Sequence, residues 1–361
     1  MSFKIMPKAV FADWVSRLQQ SYRVVGPVER HGKYVFDEVE STDELQMVYP
    51  PTVLPPKKYL VPPRETLVRY RLDGTHIAAN INAQPTVILG IHTCDIHATK
   101  LLDHIFDRGF DDQHYLAHRE QTYLVSIECL QTCTEESFCR DMGTASATDG
   151  FDLHFLDLGD VYAINVATRK GLRLMDGFHH AFDALPSDMA RVNRRLSEKW
   201  QQFAYRLDFD VHELPELMGK SYHSNLWNEL GDICLACGMC TQVCPTCYCF
   251  DVTDEADLSL TEGQRVRRWD SCQIYQFALV AGGHNFREKL ATRQRHRFMR
   301  KGKYQKDAIG MVGCVGCGRC ASSCLVHITP ISVFNALYER AQVADTRAVE
   351  EKAGLAKEVA A

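Results

Sequence analysis

The chain lacks any run of about eighteen uncharged apolar residues, which excludes an ordinary helical membrane span. Its opening stretch, MSFKIMPKAVFADWVSRLQQ, lacks the basic-then-apolar order of a secretion signal, so the expected location is the cytoplasm. A net charge of −5 at pH 7 gives the whole molecule no attraction to nucleic acid. G-x-S-x-G, H-E-x-x-H, a Walker loop and a strand-borne G-x-G-x-x-G are all missing, and no residue is assigned a catalytic role. What remains is a chain of 361 residues, enough for about two domains.

Cysteine is abundant, with fifteen residues. In a chain without an export signal, that number points to metal ligands in a reducing compartment and away from a disulfide framework. Eight of the cysteines form two matching runs. One is Cys234-Leu-Ala-Cys237-Gly-Met-Cys240-Thr-Gln-Val-Cys244, and the other is Cys314-Val-Gly-Cys317-Gly-Arg-Cys320-Ala-Ser-Ser-Cys324. Each is C-x2-C-x2-C-x3-C, the spacing that curls three thiolates around one cubane and sends the fourth to a neighbour. The expected sets are therefore Cys234, Cys237, Cys240 and Cys324 for one [4Fe–4S] cluster, and Cys314, Cys317, Cys320 and Cys244 for a second. Gly238, Gly316 and Gly318 permit positive φ and close backbone approach. Pro245 follows the first run as the motif expects, whereas Leu325 stands at that place in the second. Zinc also takes four cysteines, but it usually pairs two short hairpins across a spacer. A chain so built is expected to carry electrons.

The expected organisation is an N-terminal α/β domain over residues 1–210, an all-α, α-helical ferredoxin dicluster domain over 211–345, and a tail over 346–361. In the first part, Phe11–Leu18 has a helical pattern, and residues 49–63 carry six prolines and should form extended loop. Thr86–Ile91 and Thr122–Ile127 have the β-branched apolar composition of buried strands. The stretch Asp95–Asp107 between them has an apolar helical face, which makes a βαβ unit with parallel neighbours. Phe151–Thr168 suggests a hairpin, and Ala181–Arg206 a connecting helix. In the second part, helical patterns over His212–Leu230, Gln273–Val280, Asn285–Lys303 and Ile331–Gln342 favour the α-helical module over a small β-type ferredoxin.

The βαβ unit gives the remaining cysteines a place. Cys94 follows its first strand and Cys129 its second, so both fall at the carboxyl edge of the sheet, where open α/β folds tend to bind ligands. Cys133 and Cys139 share a loop with Cys129. One thiolate from one loop and three from another complete a set for a third [4Fe–4S] cluster, although this spacing also suits a structural zinc or inert buried thiols. His92 and His97 flank Cys94, which leaves a histidine ligand open there. His179, His180 and His284 have no partner pattern, and Cys247, Cys249 and Cys272 read as thiols packed around a cluster or in the core, with a substitute ligand role as the alternative.

Charge is unevenly placed. Thr261–Lys306 holds twelve Lys and Arg against three acids. It reads as a solvated helix face, or as a face that offsets cluster charge or docks an acidic partner.

Four segments together resemble one family. They are the turn Cys94-Asp95-Ile-His-Ala98, the loop Cys129…Cys139-Arg-Asp-Met-Gly143, the exit Cys244-Pro-Thr-Cys-Tyr-Cys-Phe-Asp251, and the insert Arg268-Trp-Asp-Ser-Cys272…Val280-Ala-Gly-Gly-His-Asn-Phe-Arg287. They resemble the β subunit of cytoplasmic NAD(P)-linked [NiFe] sulfhydrogenases, and the electron-transfer subunit of anaerobic sulfite reductase is similar. The resemblance implies an iron–sulfur relay between a flavin subunit that handles NAD(P)H and a catalytic subunit, a hydrogenase first and a sulfite reductase as the alternative. An oxidoreductase acting alone on its own flavin is a further alternative. By the same resemblance, the eight dicluster cysteines match cluster ligands, and Cys94, Cys129, Cys133 and Cys139 match the family's N-terminal cysteines.

Overall fold

The computed structural model describes residues 2–359. Its strands are β1 (Ser2–Pro7), β2 (Arg23–Arg30), β3 (Lys33–Glu38), β4 (Arg64–Arg71), β5 (Ile77–Ala79), β6 (Thr86–His92), β7 (Thr122–Ile127), β8 (Leu153–Asp157), β9 (Val161–Val166), β10 (Phe182–Asp183), β11 (Phe250–Ala256) and β12 (Glu262–Trp269). Eight of them form a mixed sheet in the order β10-β1-β9-β8-β7-β6-β2-β3. Its centre, β2-β6-β7-β8, is parallel. Every residue of β6 and β7 is buried, as uncharged runs covered on both faces should be. Successive side chains alternate between two cores: Val87, Leu89 and Val125 join Trp14 and Phe155 on one face, while Ile88 and Leu124 join Val25, Phe36 and Ile96 on the other.

The helix Thr93–Phe106 starts directly after β6, and the helix Gln113–Gln121 returns the chain to β7. This is the expected βαβ unit. His92 pairs with Ile127 at the carboxyl ends of the two strands, so the chain segments carrying Cys94 and Cys129 leave the sheet side by side. β8 and β9 pair antiparallel as the expected hairpin.

The expectation of an all-α dicluster region is wrong. Between the two cysteine runs lies the antiparallel hairpin β11–β12, and β12 pairs with β4 while β4 pairs with β5 to make a second, four-stranded sheet. The spacer from 273 to 280 is irregular, with only a 3-10 turn at Gln276–Ala278. Helix is confined to Leu290–Met299, which passes through a π turn at Arg300–Tyr304 into Gln305–Ile309. The hairpin carries no apolar alternation because β11 is almost wholly exposed. Its surface ion pairs, such as Arg265 with Asp254 at 2.8 Å, contribute only about 0–1 kcal/mol each. What holds it is non-local: β12 lies along β4, Val266 is buried, and the buried Arg267 pairs with Glu65 of β4 at 2.7 Å and also with Asp112.

Helices Leu214–Lys220, Leu226–Ile233 and the start of Pro330–Val359 enclose a separate core of Leu214, Met218, Trp227, Phe298, Phe334 and Leu337. Residues 346–359, read as tail, continue that last helix, and 360–361 lie outside the described residues. Among the described residues, no helix is long and apolar enough to cross a membrane.

Candidate metal centre

Each cysteine run folds as a loop closed by one turn of helix, Met239–Gln242 in the first and Arg319–Ser322 in the second. Gly238 and Gly318 start these turns at φ 77° and 76°, and Ala236 and Gly316 take left-handed φ at matching places two residues earlier. The positive φ turns the chain back so that side chains spaced by three converge. One cleft is lined by Cys234, Cys237, Cys240 and Cys324. A second is lined by Cys240, Cys244, Cys247, Cys314, Cys317 and Cys320. Each cleft thus includes three cysteines of one run and the last of the other, and the second adds Cys240 and Cys247.

Donors and cations face these sulfurs. Gln294 Nε2 donates to Cys234 Sγ at 2.8 Å, and the backbone N–H groups of Ala236 and Ile328 donate to Cys234 and Cys324 at 3.4 and 3.3 Å. Arg297 is buried; burial works against its charge, but thiolates at Cys240 and Cys320 outweigh it and hold the guanidinium firmly protonated. Lys301 behaves alike toward Cys244, Cys247 and Cys314. Arg297 and Lys301 stand on either side of the start of the π turn, where the altered helical repeat re-aims side chains. So the basic segment noted in the sequence sends part of its charge inward. The buried Lys57, from the proline-rich loop, donates to the carbonyls of Cys244 and Cys247 at 2.8 and 2.6 Å.

The N-terminal cysteines also converge. Cys94 and Cys139 are buried together with Val315 and Phe203, and Cys129 and Cys317 pack against them. A ring nitrogen of His92, Cys129 Sγ and Cys133 Sγ lie within 4.8 Å of one another. The His92 ring stacks on Tyr49 with centroids 4.1 Å apart, and burial pulls its pKa down to about 3, so it offers a neutral nitrogen. His97 is occupied by the Ser146 carbonyl at 2.8 Å. His179, His180 and His284 are exposed. Burial, then the neighbouring sulfur of Cys129, pushes the Cys139 thiol up to about 12. Crowded thiols of this kind lose their protons to a bound metal, and the donor set fits an iron–sulfur cluster.

Several residues that matter here carried no recognised signal. Arg319, inside the second run, is buried and bidentate to the buried Asp95, with both N–O distances 2.7 Å, and donates to the Thr52 carbonyl at 2.9 Å. A charged residue inside a cysteine run should have prompted a search for its counter-charge, and Asp95 stands beside Cys94. Beside Cys129, Lys199 donates to Glu128 and, at 2.8 Å, to the Ala145 carbonyl, while His154 contacts the other Glu128 oxygen at 2.8 Å. Nothing in the local sequence signals that network. Phe138 N–H donates to the Gly316 carbonyl at 2.8 Å, so the N-terminal cysteine loop lies directly on the second run.

Residues 233–328 match the 4Fe-4S dicluster domain family. The chain is 34% identical over 329 residues to subunit beta of sulfhydrogenase 2 from Pyrococcus furiosus, covering 91% of this chain and 96% of that protein. No solved structure gives a significant match.

Proposed function

The chain belongs to the sulfhydrogenase β-subunit family, and on that premise we propose that it is the iron–sulfur electron-transfer subunit of a multi-subunit hydrogenase. The observation that carries this reading is the pair of clefts, each lined by three cysteines of one run and the fourth of the other, with Arg297 and Lys301 facing the sulfurs. Cys234, Cys237, Cys240 and Cys324 would hold one [4Fe–4S] cluster, and Cys244, Cys314, Cys317 and Cys320 the other. Cys94, Cys129, Cys133 and Cys139 would hold a third. When bound, such clusters supply one-electron redox chemistry, which complements the two-electron chemistry of a flavin subunit using NAD(P)H, the partner we assign on the other side of the relay. The sulfhydrogenase relative favours a hydrogenase partner over a sulfite reductase one.

The chain's own residues set the conditions. Arg297 and Lys301 offset the negative charge of the thiolates, and Gln294 hydrogen-bonds sulfur, which favours the reduced state. The Arg319–Asp95 pair fixes the second run against the N-terminal cysteines, so the three sets adjoin through Cys317 and Cys240. Around the first cleft, Cys237 is exposed, and Leu235, Met239 and Leu325 form an apolar rim at 59%, 41% and 80% exposure. That rim is where a partner subunit would bring its own redox centre close.

The test is iron and acid-labile sulfide per chain on anaerobically purified protein, with low-temperature EPR of the reduced state. We expect about twelve irons and three interacting clusters. About eight would remove the N-terminal set from the relay and leave zinc as its first alternative, and fewer than eight would overturn the dicluster reading.

A further inference from the structure

Cys247, Cys249 and Cys272 belong to none of these sets, yet they line one cavity together. It shares a wall, formed by Cys247, Arg297 and Lys301, with the cleft of Cys244 and Cys314. The hairpin explains how it is built. Cys249 precedes β11, Cys272 follows β12, and the pairing of Phe250 with Trp269 closes the hairpin base between them. Asp270 N–H donates to the Cys249 carbonyl at 2.9 Å. The Cys249 and Cys272 thiols are close enough to influence each other's charge.

The rest of the lining has one sign of charge. Arg287, Arg300 and Lys301 contribute cations, and no Asp or Glu is present among the described lining residues. The Nε of Arg287 is buried without a hydrogen-bond partner among the described residues. The lining runs from Phe250, 41% exposed, to Cys272, 5% exposed, so the cavity leads from the surface to the thiol pair. A cationic, acid-free approach to two neighbouring thiols selects an anion that reacts with thiols.

We propose that this cavity is a thiol–disulfide exchange site for a small anionic disulfide, with Cys249 as the attacking thiolate and Cys272 as the resolving thiol. The Cys249 sulfur attacks one sulfur of the disulfide; a bond forms between them, the substrate S–S bond breaks, and one thiolate leaves. Cys272 gives up its proton and attacks Cys249 Sγ, which forms the Cys249–Cys272 disulfide and frees the second thiolate. The protein pair loses two electrons, the substrate gains them, and one proton is released to solvent. The reverse sequence, with the anionic thiol in excess, restores the dithiol. The roles follow from exposure, since Cys249 is half-buried and Cys272 is buried. The neighbouring Cys272, with help from the Arg300 and Lys301 charges, also brings Cys249 down to about 6, in the range of attacking thiols.

The test uses anaerobically purified, cluster-loaded protein treated with oxidised glutathione, an anionic disulfide, or cystamine, a cationic one. Samples are quenched by acid, alkylated and mapped by peptide mass spectrometry, with iron counted in parallel. Wild type should form the Cys249–Cys272 disulfide with iron unchanged, and oxidised glutathione should react at least about tenfold faster than cystamine. Cys272→Ser should stop at a mixed disulfide between Cys249 and glutathione. Arg287→Gln should slow oxidised glutathione by about fivefold and leave cystamine as fast or faster. The proposal is overturned if Cys272→Ser carries no adduct at Cys249, if cystamine reacts as fast, or if Cys249→Ser or Cys272→Ser loses iron, since these residues would then be ligands. A low iron count in wild type would count against the relay and leave the thiol mapping to judge this site separately.

Discussion

The runs 234–244 and 314–324 share their cysteine spacing and their left-handed positions, but they sit in opposite surroundings. The second is docked inside the molecule: Arg319 is spent on Asp95, and Gly316 lies against the backbone of Phe138 and Cys139. The first faces outward. Met239 stands where the second run has Arg319 and is 41% exposed, and Ala236 stands where the second has Gly316. Spacing accounts for what the two have in common, the loop, the turn and the convergence of sulfur. What differs comes from neighbours far away in sequence, and it gives one centre an interior position and the other an outlet.

The strongest way to break that comparison is to remove one cysteine from each run. Cys237→Ala and Cys317→Ala should each lose about four irons. Only Cys317→Ala should also disturb the N-terminal set, because Cys317 packs with Cys94, Cys129 and Cys139. Iron analysis with EPR of the reduced variants reads both effects. Equal spectra for the two variants would mean that the runs are not distinguished by their surroundings.

A sharper version compares the matching positions 239 and 319. Arg319→Met should cost about 3–5 kcal/mol, because it leaves the Asp95 carboxylate buried without its counter-charge. Met239→Arg, the inverse change on the exposed run, should stay within about 0.5 kcal/mol. Replacing Asp95 and Arg319 together by apolar residues should recover much of the loss, which would identify the cost as an orphaned charge. Denaturant unfolding of anaerobic samples measures all three, and a benign Arg319→Met would remove the lock between the two regions.

The same contrast explains what the sequence disclosed. The βαβ unit was legible because β6 and β7 are uncharged throughout and the helix between them has a clear apolar face. The two cysteine runs were legible because ligand spacing is a local code. The β11–β12 hairpin was not, because its partner is β4, far away in the chain, and its own faces are mostly polar. Between the two readings of the basic stretch Thr261–Lys306, a solvated helix face and a face that offsets cluster charge or docks a partner, the sequence could not choose for a related reason. Arg293 and Arg297 are buried, Arg297 against cysteines and Arg293 donating to the Gln273 carbonyl at 2.7 Å, and composition does not say which way a cation points. Arg267 is the same lesson in a strand.

The smallest effect tests the backbone itself. Ala236 and Gly316 both hold left-handed φ, at 52° and 66°, a conformation that costs a residue with a Cβ about 1–2 kcal/mol. At 316 that strain would be joined by a clash. A Cβ there would lie 2.6 Å from the carbonyl carbon and oxygen of Phe138 and 2.7 Å from Cys139 N, and backbone atoms cannot swing aside as a side chain can. Gly316→Ala should therefore cost about 2–3 kcal/mol and loosen the contact with the N-terminal cysteine loop. At 236 the protein already tolerates a methyl, so Ala236→Gly exchanges relief of that strain for a more flexible unfolded chain and should fall within about 1 kcal/mol of neutral. Thermal unfolding of the two variants gives the difference directly. If Gly316→Ala proved as mild as Ala236→Gly, the close seating of the second run on Phe138 would not be contributing to stability, and the interior position of that run would rest on the Arg319–Asp95 pair alone.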